Sequence, residues 1–397
     1  MKKVIITGIL IFFLIPNINS DTLDDILNEI KSNNFELKKI ESDFDAASAE
    51  IKSGNNLQAT DFDVEYHFGE RNVGDKYGFG VSQAFDWPGL YYSRGKAAKA
   101  SISALQYASL NKQMDLLLSA RNICLKIINL NKQIALEERI ETDMFRMKEL
   151  YDKGFKYGEI SILDINKLKI ELLNIKQAKN SLERQRIVLV EELKALNGDR
   201  SVDDKTISSL TEYPESRILP MPAYLEKMEE VDPEYKYYSY QAEAGKYNLS
   251  ASKRQWFPTF KIGYKYFNEL GVRFNGISAG ISIPIFSNRH KTASAKAAEI
   301  ANRYSGQTMV AAKHAKVQST YSQIQSLQEQ IDAYRDVLND GNNNRVLKKA
   351  LDGGQITLLQ YLTELKYFIA AETNLLNLEY EYHLLLSDLN KYELLSK

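Results

Sequence analysis

The side chains able to do covalent or metal chemistry are few and scattered. Histidines stand only at His67, His290, His314 and His383. None has the acid, serine or cysteine neighbours that a catalytic triad, a zinc site or a phosphate loop would space around it. The single cysteine, Cys124 between Ile123 and Leu125, has no partner for an internal disulfide and reads as a small buried apolar residue. Met and His do not cluster as a soft-metal site would require. The expectation is therefore a protein that is not an enzyme, with no catalytic, cofactor-binding or metal-binding residues. Lys and Arg total 51 against 52 Asp and Glu, a net charge of -1, so no basic excess points to a nucleic-acid partner.

The remaining polar residues of interest alternate with apolar ones. In 61–68, Phe62, Val64, Tyr66 and Phe68 fall on one side of an extended strand, with Asp61, Asp63, Glu65 and His67 on the other. In 258–266, Phe260, Ile262, Tyr264 and Tyr266 oppose Lys261, Gly263 and Lys265. Each segment is followed by a second alternating one, 77–85 and 277–285, across loops expected at 69–76 and 268–275. Four such strands cannot close a barrel, which takes about eight, and they would leave open edges. Three protomers of four strands each would close a barrel of about twelve. Asp63, Glu65, His67, Lys261 and Lys265 are then expected to line water, while Phe62, Val64, Tyr66, Phe260, Ile262 and Tyr264 face lipid. The mixed signs of the lining argue against strong charge selectivity.

Proline shows what must hold these strands. There is none between Pro88 and Pro214, and none after Pro284. Both stretches are rich in helix formers, which predicts long uninterrupted helices. The first runs from Gly89 to about Lys153, on the order of 90 Å. It returns over 160–197 with Leu168, Leu172, Ile175, Leu182, Leu189, Leu193 and Leu196 in a three-four alternation that Lys179 and Arg186 interrupt, as in an antiparallel coiled coil. The turns between helices carry Gly158-Glu159-Ile160-Ser161 and Gly354-Gln355-Ile356-Thr357. Ser161 and Thr357 suit helix caps, and Gly158, Glu159, Ser161, Gly354, Gln355 and Thr357 are candidates for a docking surface at the helical tips.

These turns, the strands and the segments 32–37 and 230–235 recur in order at one offset, about half the chain, as duplication produces. The expected layout is a signal peptide at 1–20, a first repeat at 21–200, a linker at 201–222 and a second repeat at 223–397. The signal reading rests on Lys2 and Lys3, the apolar Val4 to Ile15, and Pro16 before the small Ser20. The fold class is mainly α with a small β part, built from a repeated helix, β-hairpin and long helical hairpin.

In this order the motifs resemble the TolC family of outer-membrane efflux proteins. Leu23-Asp24-Asp25-Ile26 with Asn33-Asn34, Ser82-Gln83-Ala84-Phe85 before Trp87-Pro88-Gly89, the two tip motifs, and Trp256-Phe257-Pro258 carry the likeness. The resemblance implies a homotrimer with a β-barrel in outer-membrane lipid on a periplasmic α-helical barrel. It implies passive conduction, opened by a periplasmic adaptor protein and an inner-membrane pump. Family members often carry aspartates just past the second tip. Here Gln360, Thr363 and Glu364 stand there and Asp164 follows the first tip, so Asp164, Gln360 and Glu364 are the gate candidates. Ala59-Thr60 replaces the junction proline in the first repeat. The alternative class is a soluble periplasmic adaptor or coiled-coil scaffold, expected to carry one hairpin rather than a doubled unit.

Overall fold

A computed structural model describes residues 18–70, 74–215, 217–339 and 343–395. Most of the expected signal segment lies outside these, and positions 18–20 begin the first helix. The helices are α1 (Ile18–Asn33), α2 (Phe35–Ser53), α3 (Pro88–Lys156), α4 (Ile162–Leu196), α5 (Asp204–Ser209), α6 (Met221–Val231), α7 (Pro233–Arg254), α8 (Lys291–Asn339), α9 (Asn343–Asp352) and α10 (Leu358–Leu389), with a 3-10 turn at Lys391–Leu395. The strands are β1 (Thr60–His67), β2 (Lys76–Phe85), β3 (Thr259–Glu269) and β4 (Val272–Ser282). The duplication is visible element for element. It includes the helix breaks at Asn34 and Asp232, which fall in the recurring segments 32–37 and 230–235.

The chain forms two compact units, and they do not follow the repeats. One comprises residues 1–35, 116–218 and 320–394, the other 36–115, 219–319 and 395–397, so each draws on both repeats. In the first unit, one core joins Leu23, Ile26, Leu27 and Ile30 of α1 to Leu117, Cys124, Ile127 and Ile128 of α3 and Leu193 of α4. The segment expected to be a linker belongs to that core, for Val202, Ile207 and Leu210 are buried in it. Asn131 secures it by donating to the carbonyls of Ile207 and Leu210, each at 2.9 Å.

A second core of the same unit packs Leu136, Ile140, Met144 and Met147 of α3 against Leu168 and Ile175 of α4 and Leu358, Tyr361, Leu362 and Leu365 of α10. Each such side chain contributes roughly 1.5–3 kcal/mol when fully buried. Exposed ion pairs contribute about 1 kcal/mol at most, so apolar burial holds the hairpins. The charged interruptions of the stripe act across it: Lys179 reaches Glu141 at 2.7 Å and Arg186 reaches Asn131 at 2.9 Å. α3 is one helix of 69 residues, about 100 Å at the usual rise. In the second repeat the described helices are α8, which reaches Asn339, and α9, which starts at Asn343.

The second unit holds the sheet and the helices that enter and leave it. Asp232 is fully buried and caps α7 by accepting from the backbone of Glu234 and Tyr235. Lys313 of α8 pairs with Asp232 and, at 2.9 Å, with Glu234. The sheet is antiparallel throughout, in the order β1-β2-β3-β4, so the two hairpins join through β2 and β3. The second hairpin is tighter than expected. β3 and β4 run to Leu270-Gly271, whose φ values of 54° and 76° are those of a two-residue hairpin turn.

Candidate functional site

The register makes the two faces of the sheet explicit. Phe62, Val81, Tyr264 and Ile277 form one row across the four strands, and Val64, Phe79, Tyr266 and Asn275 the next. On that face Phe62, Val64, Tyr66, Ile262 and Tyr264 are exposed, and Val64 is 84% exposed; Phe260 is half-buried beneath Trp87, 6.2 Å away. The other face carries Asp61, Asp63, Glu65 and His67 on β1, and Lys261 and Lys265 on β3. The register thus puts the two sets of side chains on opposite sides of the pleat.

The polar face is the concave one. Between the charged columns, β2 presents Gly78, Gly80 and Ser82, all buried although they lie on the surface of a single-layer sheet. A methyl added at Gly78 would lie 2.5 Å from Phe267 Cδ1 and 2.7 Å from Tyr266 O. One at Gly263 would lie 2.7 Å from Ser82 Cβ. Small residues there let the strands curl until β1 and β3 side chains meet over β2. Lys261 Nζ accordingly reaches Asp61 at 2.7 Å. Nearer the turns, Lys76 pairs with Glu269 at 3.2 Å, and His67 lies 3.9 Å from Glu65.

Aromatic residues mark both ends of the exposed apolar face. Trp87, which follows β2, stacks on Phe257, which precedes β3, at 5.1 Å, and Trp256 lies beside it in sequence. Toward the turns, Tyr66 stacks on Tyr77 at 6.3 Å and Phe79 on Tyr266 at 5.1 Å. Asp86 ties the strand ends to the helices. It accepts from Arg94 at 2.8 Å, Gln58 at 3.0 Å and Thr259 at 3.3 Å. Gln83 donates to the carbonyl of Gln58 at 2.7 Å, just before Ala59-Thr60 of the first repeat. Asp86 was not singled out by sequence reasoning, since a lone carboxylate carries no pattern, and Gln83 entered it only as part of the Ser82-Gln83-Ala84-Phe85 motif.

The tips are built as their sequences predict. Gly158 and Gly354 have φ values of 77° and 66°, which favour glycine. Ser161 caps α4 by accepting from Leu163, and Thr357 caps α10 in a capping box with Gln360. Gln360, a gate candidate, therefore has its side chain bonded to the Thr357 backbone at 2.9 Å. Asp164 accepts from Lys167 at 3.1 Å in the first turn of α4, where the helix dipole favours a carboxylate. Glu364 is exposed one turn further along α10, and Glu159 and Gln355 are exposed in the turns. Burial pushes the Tyr361 phenol up to about 12, helped by the carboxylates of Asp143 and Asp352. Burial likewise raises Tyr151, beside Asp164 and Asp352.

Among the described residues, no three His, Cys, Asp or Glu side chains group as metal ligands. No described helix is long and apolar enough to cross a membrane. No family model and no curated protein matches the sequence, but solved structures match it almost end to end. The outer membrane protein VceC of Vibrio cholerae has a TM-score of 0.75 at 13% identity, covering 94% of this chain and 96% of its own. The CmeC outer membrane channel of Campylobacter jejuni gives 0.73 at 15%, covering 94% and 85%. CusC, described with transmembrane channel formation, gives 0.73 at 15%, covering 94% and 92%.

Proposed function

We propose that this chain, which shares the fold of those outer-membrane channels and the TolC-family motif order, is one protomer of an outer-membrane exit duct. The sheet carries the reading: an exposed apolar convex face with aromatic residues at both ends, and a charged concave face hollowed by glycine. A soluble sheet buries its apolar face, whereas a barrel wall in lipid exposes it and turns its polar face to water. Strands of 8 to 11 residues, tilted as barrel strands are, span the roughly 25 Å apolar band of an outer-membrane barrel.

Three protomers close the wall, because β1 and β4 are free edges of opposite direction and an even strand count lets them pair antiparallel. Asp63, Glu65, His67, Lys261 and Lys265 then line the lumen, and Phe62, Val64, Tyr66, Phe260, Ile262 and Tyr264 meet lipid. The helical hairpins form the periplasmic duct. Gly158, Glu159, Ser161, Gly354, Gln355 and Thr357 offer the docking surface for an adaptor and pump, and Asp164 and Glu364 are better placed than Gln360 to gate. Conduction is passive and needs no cofactor. An adaptor or scaffold would carry a single hairpin, and this chain carries two.

The test is membrane fractionation followed by detergent extraction and mass measurement in solution. Recovery in the outer membrane as a particle of three protomers is expected. A monomer in the soluble periplasmic fraction would overturn the duct and favour the scaffold.

A further inference from the structure

The outer ends of β3 and β4 depart from the pattern that defines the rest of the sheet. Glu65, Gly78, Phe267 and Phe274 occupy a single row across the four strands, and that row lies on the concave face. Two phenylalanines therefore stand directly opposite one another on the surface otherwise given to Asp, Glu, Lys, Gly and Ser. Phe267 lies over Gly78, where there is no room even for a methyl group. Phe274 is 54% exposed, so its ring is offered to the lumen rather than spent on packing. Lys265 Nζ sits 5.8 Å from the centroid of the Phe267 ring, within the range at which a ring face attracts a cation.

The surrounding charge leans the same way. On this face the carboxylates of Asp61, Asp63, Glu65 and Glu269 face the ammonium groups of Lys76, Lys261 and Lys265. Two of these acids are already matched, Asp61 by Lys261 and Glu269 by Lys76. Among the described residues, Glu65, in the row of the two rings, has only His67 within ion-pair distance.

We propose that Phe267 and Phe274, with Glu65 beside them, form an aromatic collar in the lumen that retains organic cations bearing aromatic groups as they pass. The collar rests on the duct reading, since only a closed barrel brings three copies of the row to one level. A barrel of twelve strands is too wide for its own side chains to fill, so rings projecting from the wall meet cargo rather than each other. Bare inorganic ions pass with their water. A cation wrapped in aromatic surface gains contact with the rings and attraction from the carboxylate.

The test is single-channel recording from the purified full-length chain in planar bilayers bathed in potassium chloride. Tetraphenylphosphonium is added as the probe and tetramethylammonium as a control of equal charge. Tetraphenylphosphonium should produce transient blocks, and Phe274→Ala should shorten them roughly fivefold or more, as loss of an aromatic contact on each protomer predicts. Phe267→Leu, which keeps Gly78 covered, should shorten them while leaving the open conductance unchanged. Blocks unaltered in Phe274→Ala, or equal block by tetramethylammonium, would overturn the collar with the duct intact. Recovery of the wild-type chain as a soluble monomer, not as an outer-membrane particle of three protomers, would sink the duct reading itself, and the collar with it.

Discussion

His383 stacks on Tyr213 with ring centroids 4.3 Å apart and lies edge-on to Tyr382. Burial, joined by the positive charges of Lys132, Arg335 and Arg121, pushes its pKa from 6.5 to about 4. The folded state therefore resists a proton that the unfolded chain accepts below pH 6.5. Stability is fully present above that value and is lost as pH falls toward 4, by about 2–3 kcal/mol if this group acts alone. Carboxylates titrate in the same window, so the informative measurement is a difference. Thermal unfolding of wild type and His383→Phe across pH 4 to 7 should show a shallower pH dependence in the variant, whose ring can still stack. Equal slopes would mean the imidazole is accessible to protons in the folded protein.

Among the elements, the sheet depends on what is absent from β2. At Gly78 an added methyl group meets a backbone oxygen as well as a ring, and a backbone atom cannot rotate away as a side-chain tip can. Gly78→Ala should therefore flatten the sheet or shift its register. Loss of the oligomer on unheated denaturing gels, with helical content by circular dichroism unchanged, is the expected result. Retention of a full-sized oligomer would show that the curl does not depend on that contact. The helices respond to different constraints. Their lengths follow from propensity and burial, and their ends from caps such as Asp232, whose backbone N–H donates to Met228 O at the end of α6 and whose carboxylate starts α7.

At the scale of the whole molecule, one chain supplies a sheet with two unpaired edges, and β1 is exposed along its full length. Antiparallel closure between protomers predicts that β1 of one copy lies beside β4 of the next. Val64→Cys combined in turn with Asn275→Cys, Ile277→Cys and Ala279→Cys should give disulfide-linked dimers and trimers for at least one pair. The native Cys124 does not interfere, for it is fully buried and burial pushes its thiol up to about 12. Monomers from every pairing, with each cysteine reactive, would rule out the shared barrel.

Period and propensity act over a few neighbours, so they are written in the sequence. The alternation at 61–68 separated the apolar from the charged side chains of β1, and the Gly and Ser or Thr of each helical turn specified its conformation and cap. The run without proline marked where helix persists. What required the tertiary structure was set by contacts between distant segments. The outer halves of β3 and β4 were missed because Phe267 reverses the alternation after Tyr266 and only pairing across the sheet extends the strands to Leu270-Gly271. Residues 201–222 read as a linker from their Gly, Asp and Pro content, yet Val202, Ile207 and Leu210 are drawn into a core supplied by α1, α3 and α4. The two compact units divide the long helices instead of separating the repeats, because burial groups residues by proximity in space and not by the duplication that placed them in order.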